Sequence, residues 1–149
     1  MNPVKILVLL IFIFLAGFYF QTGDGIGLSS AEGVILIVNK NVDQSRLSRQ
    51  EVRDIFLGDK RTWDDGQHVV VVTLKSGTVH DEFLQEYIKK TAIIFSRYWK
   101  RMLMTGKSKI PIAFNSENDA IDYVKNTDGA IGYISPALLN ESVKKMTID

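Results

Sequence analysis

The stretch from His68 to Leu84 reads HVVVVTLKSGTVHDEFL and contains the pattern of a strand, a turn and a helix in succession. Val69–Thr73 is a β-branched run of the kind found in strands that are buried on both faces. Gly77 follows shortly afterwards, and apolar residues then recur at helical spacing at Val79 and Phe83. A strand that leads directly into a helix indicates an α/β fold.

The same alternation extends to both sides of this stretch. Short apolar runs predict further central strands at Val34–Val38 and Ala130–Ile134. They also predict one more strand at Ile110–Phe114. The last residues, Val143–Asp149, are consistent with an added edge strand. Because helical patterns separate the strands, we predict one α/β domain with a mixed or mostly parallel sheet flanked by helices.

Four helices are predicted between these strands. The clearest begins at Ser48, which can cap it, has Glu51 in the capping-box position, and ends at Gly58. Apolar spacing and turn residues predict the other three at about residues 78–90, 94–105 and 116–125. Large side chains on the apolar stripes are expected in the core. They are Phe56, Phe83, Tyr98, Trp99 and Leu103.

The N-terminus has the composition of a targeting segment. Lys5 precedes an unbroken apolar stretch at residues 6–20, which is short for a membrane-spanning helix and typical of a secretory signal. We therefore expect residues 1–31 to be a signal peptide or N-terminal membrane anchor with a linker, and residues 32–149 to be the folded domain. A periplasmic or secreted location follows, with membrane contact through residues 6–20 if the segment is not removed.

The loop Lys75, Ser76, Gly77 and Thr78 is the candidate ligand site. Glycine allows close approach to the backbone, the two hydroxyls and the lysine can contact an anion, and the helix N-terminus favours negative charge. The same residues also fit a structural role in which Thr78 caps the helix and Asp81 returns the bond. The residues by themselves leave both interpretations open.

A basic stretch between Lys89 and Lys109 contains seven cations and no acid, a pattern that can attract nucleic acid or anionic lipid. The whole chain, however, has 18 basic and 17 acidic residues and a formal net charge of only +1. In the basic stretch, the aromatic residues Tyr98 and Trp99 fall on the apolar stripe of the helix predicted at about residues 94–105 and not on an outward-facing stacking surface. A solvated surface is therefore favoured, and no nucleic-acid partner is expected.

Catalysis is not predicted. The chain has two histidines and no cysteine, and no spacing of acidic residues suggests a metal site. Ser76, His80 and Asp81 could form a triad in principle, but the motif of a nucleophile elbow is absent. We expect neither a metal nor another cofactor.

Several motifs resemble a known family. The segments at 38–41, 54–66, 69–85, 98–107 and 129–135 occur in the order and separation seen in the substrate-binding proteins of phosphate ABC transporters and their small single-lobe relatives. They read VNKN, DIFLGDKRTWDDG, VVVVTLKSGTVHDEFLQ, YWKRMLMTGK and GAIGYIS. The resemblance implies one lobe of a type 2 periplasmic binding protein-like fold, with Ser76–Thr78 on the phosphate-binding loop.

Two departures from that family leave two functions open. Val72 stands where full-length relatives carry an arginine, and the chain has residues for only one of the two lobes that close around the ligand. The first function is weak binding of phosphate or a related oxyanion at the helix N-terminus, related to ABC phosphate uptake. The second is an exported interaction or sensory scaffold that uses the same lobe without ligand capture, with a membrane-protein or signalling partner.

Overall fold

The computed structural model describes residues 33–106 and 109–149. The predicted signal peptide or anchor, residues 1–31, lies outside the described residues. Among the described residues, no helix is both long enough and apolar enough to cross a membrane.

A five-stranded sheet forms the centre of the domain. Its strands are β1 (Ile35–Val38), β3 (Val70–Leu74), β4 (Ile112–Phe114), β5 (Ala130–Ile134) and β6 (Lys144–Lys145), and β2 (Arg46–Leu47) pairs separately with β7 (Thr147–Ile148). The order across the sheet is β4-β3-β5-β1-β6. β3 runs parallel to β4 and β5, whereas β1 runs antiparallel to β5 and β6. The three predicted central strands are confirmed, and the sheet is mixed.

The four predicted helices are also present. They are α1 (Arg49–Leu57), α2 (Thr78–Phe83), α3 (Ala92–Met104) and α4 (Glu117–Asn126), and a short 3₁₀ helix covers Pro136–Leu138. The single helix predicted for residues 78–90 differs in detail, because α2 continues as a π-helical segment at Leu84–Ile88. That segment ends at Lys89, which adopts a left-handed conformation with φ 58°.

The caps of α1 are formed as the sequence predicts. The Ser48 side chain accepts from the Glu51 backbone N–H, and the Glu51 carboxylate accepts from the Ser48 N–H at 2.9 Å. Gly58 ends the helix in a left-handed conformation. These bonds satisfy donors and acceptors that a helix end otherwise leaves without partners.

Strand β5 is buried on both faces. Tyr133 lies against Phe56 of α1 and Phe83 of α2, with ring centroids 5.9 and 3.9 Å away. Gly132, the preceding residue, faces α4, where a Cβ would come within 3.4 Å of the Val124 side chain. Successive side chains of a strand point to opposite faces. The sheet is therefore flanked by helices on both sides, as predicted.

The prediction of large core residues is wrong for one of the five, Leu103. Phe56, Phe83 and Trp99 are buried and Tyr98 is half-buried, but Leu103 is 54% exposed. Met102 packs against the core instead, because it lies seven residues after the buried Phe95 and so near the same side of α3. Leu103 lies about 100° further round the helix, outside the buried face.

The motifs that carry the family resemblance contact each other. The indole N–H of Trp63, in DIFLGDKRTWDDG, donates to the Gly129 carbonyl, in GAIGYIS, at 3.0 Å. A Cβ at Gly129 would lie 2.1 Å from the His68 carbonyl oxygen, so a larger residue cannot be accommodated without a backbone shift. These residues join the start of β3 to the start of β5 and have a structural role.

Candidate functional site at the end of strand β3

The candidate loop begins where β3 ends. The Lys75 N–H donates to the Phe114 carbonyl at 2.9 Å, which continues the parallel pairing of β3 and β4 into the first residue of the loop. Ser76 and Gly77 then turn the chain into α2. The loop therefore lies at the carboxyl ends of two parallel strands, the edge at which ligands usually bind in open α/β sheets.

The N-terminus of α2 has no side-chain cap. Its N-cap residue is Gly77, with φ 111° and ψ 167°, and Thr78 is the first residue inside the helix. The interpretation of Thr78 as the capping residue is therefore wrong. A backbone turn at this positive φ requires glycine, which has no side-chain oxygen to offer. The first intrahelical bond runs from the Asp81 N–H to the Gly77 carbonyl at 3.0 Å. The N–H groups of the three preceding residues consequently have no carbonyl partner within the helix.

The structure brings the four predicted site residues together in one exposed loop. Lys75, Ser76, Gly77 and Thr78 are all exposed, and a Cβ added at Gly77 would meet no atom within 4 Å. Space for a small anion is therefore present beside the open N–H groups. Asp81 lies in the first turn of the same helix and is also exposed, so its charge opposes that of a bound anion.

Two buried side chains, Tyr133 and His80, are hydrogen-bonded to each other, and Tyr133 is also bonded to Leu74, the residue that precedes the loop. The Tyr133 hydroxyl oxygen accepts from the Leu74 N–H at 3.0 Å and lies 2.6 Å from Nδ1 of His80. Burial raises the pKa of Tyr133, so the phenol retains its proton. Nδ1 is the only hydrogen-bond acceptor that the described residues place beside the phenol proton, so we assign that proton to the bond with Nδ1 and the proton of the neutral histidine to Nε2.

Sequence reasoning missed the burial of His80, which is only 4% exposed. The signal was available, because His80 lies three residues before Phe83 and four before Leu84, on the stripe that α2 and its continuation bury. Desolvation lowers the pKa of His80, and the nearby Asp81 carboxylate opposes this effect.

The lowered pKa of His80 predicts a pH dependence of stability. In the unfolded chain a histidine binds a proton near its ordinary pKa of 6.5, whereas folded His80 resists protonation. The unfolded state therefore binds more protons below this pH, and the free energy of unfolding should rise as the pH increases towards 6.5. Urea denaturation at a series of pH values measures this slope.

Two variants identify the source of the slope. His80→Gln retains an acceptor for the Tyr133 hydroxyl but cannot titrate, so it should flatten the slope near pH 6. Glu51 makes the free energy of unfolding depend on pH in a lower range, because its hydrogen bond from Lys60 lowers its pKa from 4.5 to about 2. Glu51→Gln should therefore lower the free energy of unfolding above pH 4.5 and flatten its fall below that pH, while leaving the slope near pH 6 unchanged. A slope near pH 6 that survives in His80→Gln would contradict the assignment.

Val72 does not contribute to the loop. It is fully buried, and its Cβ lies 3.4 Å from the position that a Cβ on Gly132 would occupy. The side chain therefore packs into the core on the side of the sheet covered by α4. In addition, the described residues contain no group of three or more His, Asp or Glu side chains that could hold a metal ion.

No protein-family model matches the chain. Solved structures with a similar fold include a protein described as a phosphate ABC transporter substrate-binding protein with bound phosphate, from Clostridium perfringens. It is 22% identical, with a TM-score of 0.63, and the alignment covers 78% of this chain and 45% of that one. An ABC-type phosphate transport receptor from Vibrio cholerae is also 22% identical, with a TM-score of 0.53 and coverage of 78% and 46%.

A third similar structure is PstS from Borrelia burgdorferi, at 13% identity and a TM-score of 0.57, with 78% of this chain and 47% of that chain covered. This chain thus spans less than half the length of these three solved structures. At these identities the likeness concerns the fold. The chain has a fold similar to one lobe of these proteins, as the motifs predicted.

Proposed function

We propose that this chain is an exported, non-catalytic protein that binds phosphate or a related oxyanion weakly at Lys75, Ser76, Gly77 and Thr78, with a role in ABC phosphate uptake. The observation that carries the proposal is the uncapped N-terminus of α2, whose first N–H groups face no capping oxygen. Phosphate is present in a solved structure of similar fold, which supports this choice of anion.

The anion would be held mainly by neutral donors. The backbone N–H groups of Thr78 and Val79 and the hydroxyls of Ser76 and Thr78 can donate to its oxygens, and the Lys75 ammonium adds one positive charge. No arginine is available at position 72 for bidentate contact, because Val72 is buried in the core. We therefore expect a dissociation constant on the order of 0.1 to 1 mM, which should increase with salt concentration.

Export rests on the amino-acid sequence. The cation Lys5 followed by the apolar residues 6–20 is typical of a signal peptide or anchor. A periplasmic or secreted domain, released or still attached through residues 6–20, is the location in which a solute-binding protein would meet its ligand.

The test is isothermal titration of the full chain in mild detergent with phosphate and sulfate, using chloride as the control anion. Ser76→Ala should weaken phosphate binding by about 1 to 2 kcal/mol, because one hydrogen bond to a charged ligand is lost. Ser45→Ala is the matched control, since Ser45 is exposed and far along the chain from the loop. Gly77 is a poor target for this test, because its φ of 111° makes any other residue strained.

The same titration decides between the two candidate functions. Absence of phosphate and sulfate binding at about 10 mM anion would contradict the solute-binding function. Equal loss of affinity in Ser76→Ala and Ser45→Ala would place the anion elsewhere on the domain.

An interaction or sensory scaffold is the second candidate, and the outer face of α3 favours it. Ile93 and Met104 are 64% and 88% exposed, and the exposed cations Arg97 and Lys100 lie between them along the helix. Exposed apolar residues grouped with charges are typical of protein-interaction surfaces. A membrane-protein or signalling partner would cover this face, and this is the candidate that would remain if the domain binds no anion in the titration.

A further inference from the structure

The outer face of α3 combines positive charge with exposed apolar side chains. Four exposed residues follow one another along this face at spacings of four, three and four positions. They form a row about 17 Å long, which we call the α3 outer row and which consists of Ile93, Arg97, Lys100 and Met104. Two aliphatic side chains thus lie at the ends of the row, and two cations lie between them.

The packing of α3 holds this row on the side away from the core. Phe95 and Trp99 are buried, and the Tyr98 hydroxyl donates to the Leu57 carbonyl at the end of α1 at 2.6 Å. Large apolar side chains of the same helix therefore remain in contact with water. They are Ile93, Ile94, Leu103 and Met104, which are 64%, 49%, 54% and 88% exposed. A solvated surface, which the sequence favoured for this stretch, does not account for such a group, whereas an interaction surface does.

The charge around the row is predominantly positive. Between Lys89 and Lys109 the chain has seven cations and no acid. A groove of about 710 Å³ adjoins the row at its Ile93 end, and its described lining contains Lys89, Lys90 and one acidic residue, Asp81. The surface is therefore complementary to a partner that carries negative charge.

An anionic bilayer fits this combination better than the other anionic or apolar partners. In a twofold contact between two copies of the chain, Arg97 and Lys100 would face the same cations of the second copy, which is unfavourable. Nucleic acid would find no ring to stack on, because Trp99 is buried and Tyr98 is half-buried. A bilayer offers phosphates to the cations and an apolar boundary to Ile93 and Met104.

The amino-acid sequence gives an independent reason to choose a bilayer. The apolar residues 6–20 are typical of a signal peptide or membrane anchor, and residues 21–32 connect them to the described domain. Those connecting residues can span at most about 40 Å. If the segment is retained, the domain stays within that distance of a bilayer, and a weak surface contact is favoured by the high effective concentration.

We propose that the α3 outer row lies on the surface of an anionic phospholipid bilayer. Ile93 and Met104 enter the boundary between headgroups and acyl chains. Arg97 and Lys100 stay at the level of the phosphates, with their aliphatic stems along the apolar surface. This contact is additional to the N-terminal segment, and it does not depend on anion binding at Ser76–Thr78.

The test follows the surroundings of Met104 in the full chain. Because the chain has no cysteine, Met104→Cys can be labelled at one position with nitrobenzoxadiazole, whose emission shifts to the blue in apolar surroundings. The labelled chain is reconstituted into vesicles of phosphatidylcholine, with or without about 30% phosphatidylglycerol. The emission should shift to the blue in the anionic vesicles at about 50 mM salt and return at about 500 mM salt, because salt screens the attraction. Neutral vesicles should give no shift.

A label at Asn118→Cys is the positional control. Asn118 is exposed on α4, which covers the Gly132 side of the sheet. Phe95 of α3 lies beside His80, with ring centroids 6.2 Å apart, and so on the opposite side, which Tyr133 faces. The emission of the Asn118→Cys label should be the same in both kinds of vesicle. Since both kinds hold residues 6–20, a difference confined to the Met104→Cys label reports contact through α3.

Charge variants test the two cations of the row. In the labelled Met104→Cys chain, Arg97→Gln together with Lys100→Gln should lower the ratio of bilayer-bound to free domain about tenfold at low salt. Lys40→Gln together with Lys125→Gln removes the same charge from two exposed positions outside α3 and should leave this ratio unchanged.

Four results would overturn the proposal. No blue shift in anionic vesicles would leave a protein partner as the occupant of the row, and an equal shift in neutral and anionic vesicles would exclude recognition of anionic headgroups. Equal effects of the two double variants would remove the role of Arg97 and Lys100. A shift that grows with the ratio of protein to lipid in neutral vesicles would indicate contact with a second copy.

Discussion

Phe83→Ala is expected to lower the free energy of unfolding by about 3 to 5 kcal/mol. Phe83 is fully buried, its ring stacks on Tyr133 at a centroid distance of 3.9 Å, and it lies 4.6 Å from the ring of Phe56. Truncation removes the contact that joins α1, α2 and β5 and leaves a cavity that rigid neighbours cannot fill.

Urea denaturation of Phe83→Ala measures this loss, with Leu103→Ala as the matched control. Leu103 is 54% exposed, so its truncation should change the free energy of unfolding by less than about 0.5 kcal/mol. A loss below about 1 kcal/mol in Phe83→Ala would show that the aromatic cluster is not a main element of the core. Since Tyr133 also holds Leu74 and His80, the variant should weaken phosphate binding at the adjoining loop as well.

Asn39→Ala is expected to cost about 2 to 4 kcal/mol, through a different mechanism. The Asn39 side-chain amide donates to the carbonyls of Val124 and Lys125 at the end of α4, both at 2.9 Å. Its side-chain oxygen accepts from the Asn41 backbone N–H, also at 2.9 Å. Asn39 is 4% exposed, so removing the amide takes the partner from the Lys125 carbonyl and the Asn41 N–H where water has little access, whereas the Val124 carbonyl keeps the Thr127 N–H at 3.4 Å.

Asn41→Ala provides the control for this variant, since it comes from the same VNKN motif. The Asn41 amide donates to the exposed Asp128 carboxylate, and its loss should cost less than about 1 kcal/mol. Hydrogen exchange should also accelerate in the last turn of α4 in Asn39→Ala. Equal stabilities of the two alanine variants would mean that Asn39 does not anchor that helix end.

The sequence predicted the candidate loop because its residues are consecutive. Lys75 to Thr78 must lie together wherever the strand and helix lie, and the order strand, glycine, helix places them at a helix N-terminus. The local sequence pattern did not predict the N-cap residue of α2 correctly. Thr78 has the side chain of a good cap, but the turn occurs one residue earlier, at Gly77, and Thr78 enters the helix. The choice depends on the backbone path from β3 into α2.

A cavity of about 310 Å³ between the end of β3, α3 and the residues that precede β4 could not be predicted in this way, because its lining residues are far apart in the chain. Leu74, Trp99 and Ala113 come from different elements, which meet only after α3 has packed against the sheet. Trp99 was expected in the core from its apolar spacing, and this is confirmed. No spacing rule indicates that its indole N–H would lack an acceptor among the described residues, since that depends on every atom around the ring.

The sequence by itself determined the features that depend on neighbours within a few residues. These are the existence of the central strands and the four helices, the capping box of Ser48 and Glu51, and the left-handed end at Gly58. Tertiary structure decided the antiparallel position of β1 beside β5, the π-helical continuation at Leu84–Ile88, and the burial of His80 beneath the loop. The physical reason is the range of the forces involved. Caps and periodicity act within a single element, whereas strand order and buried contacts depend on which distant surfaces exclude water together.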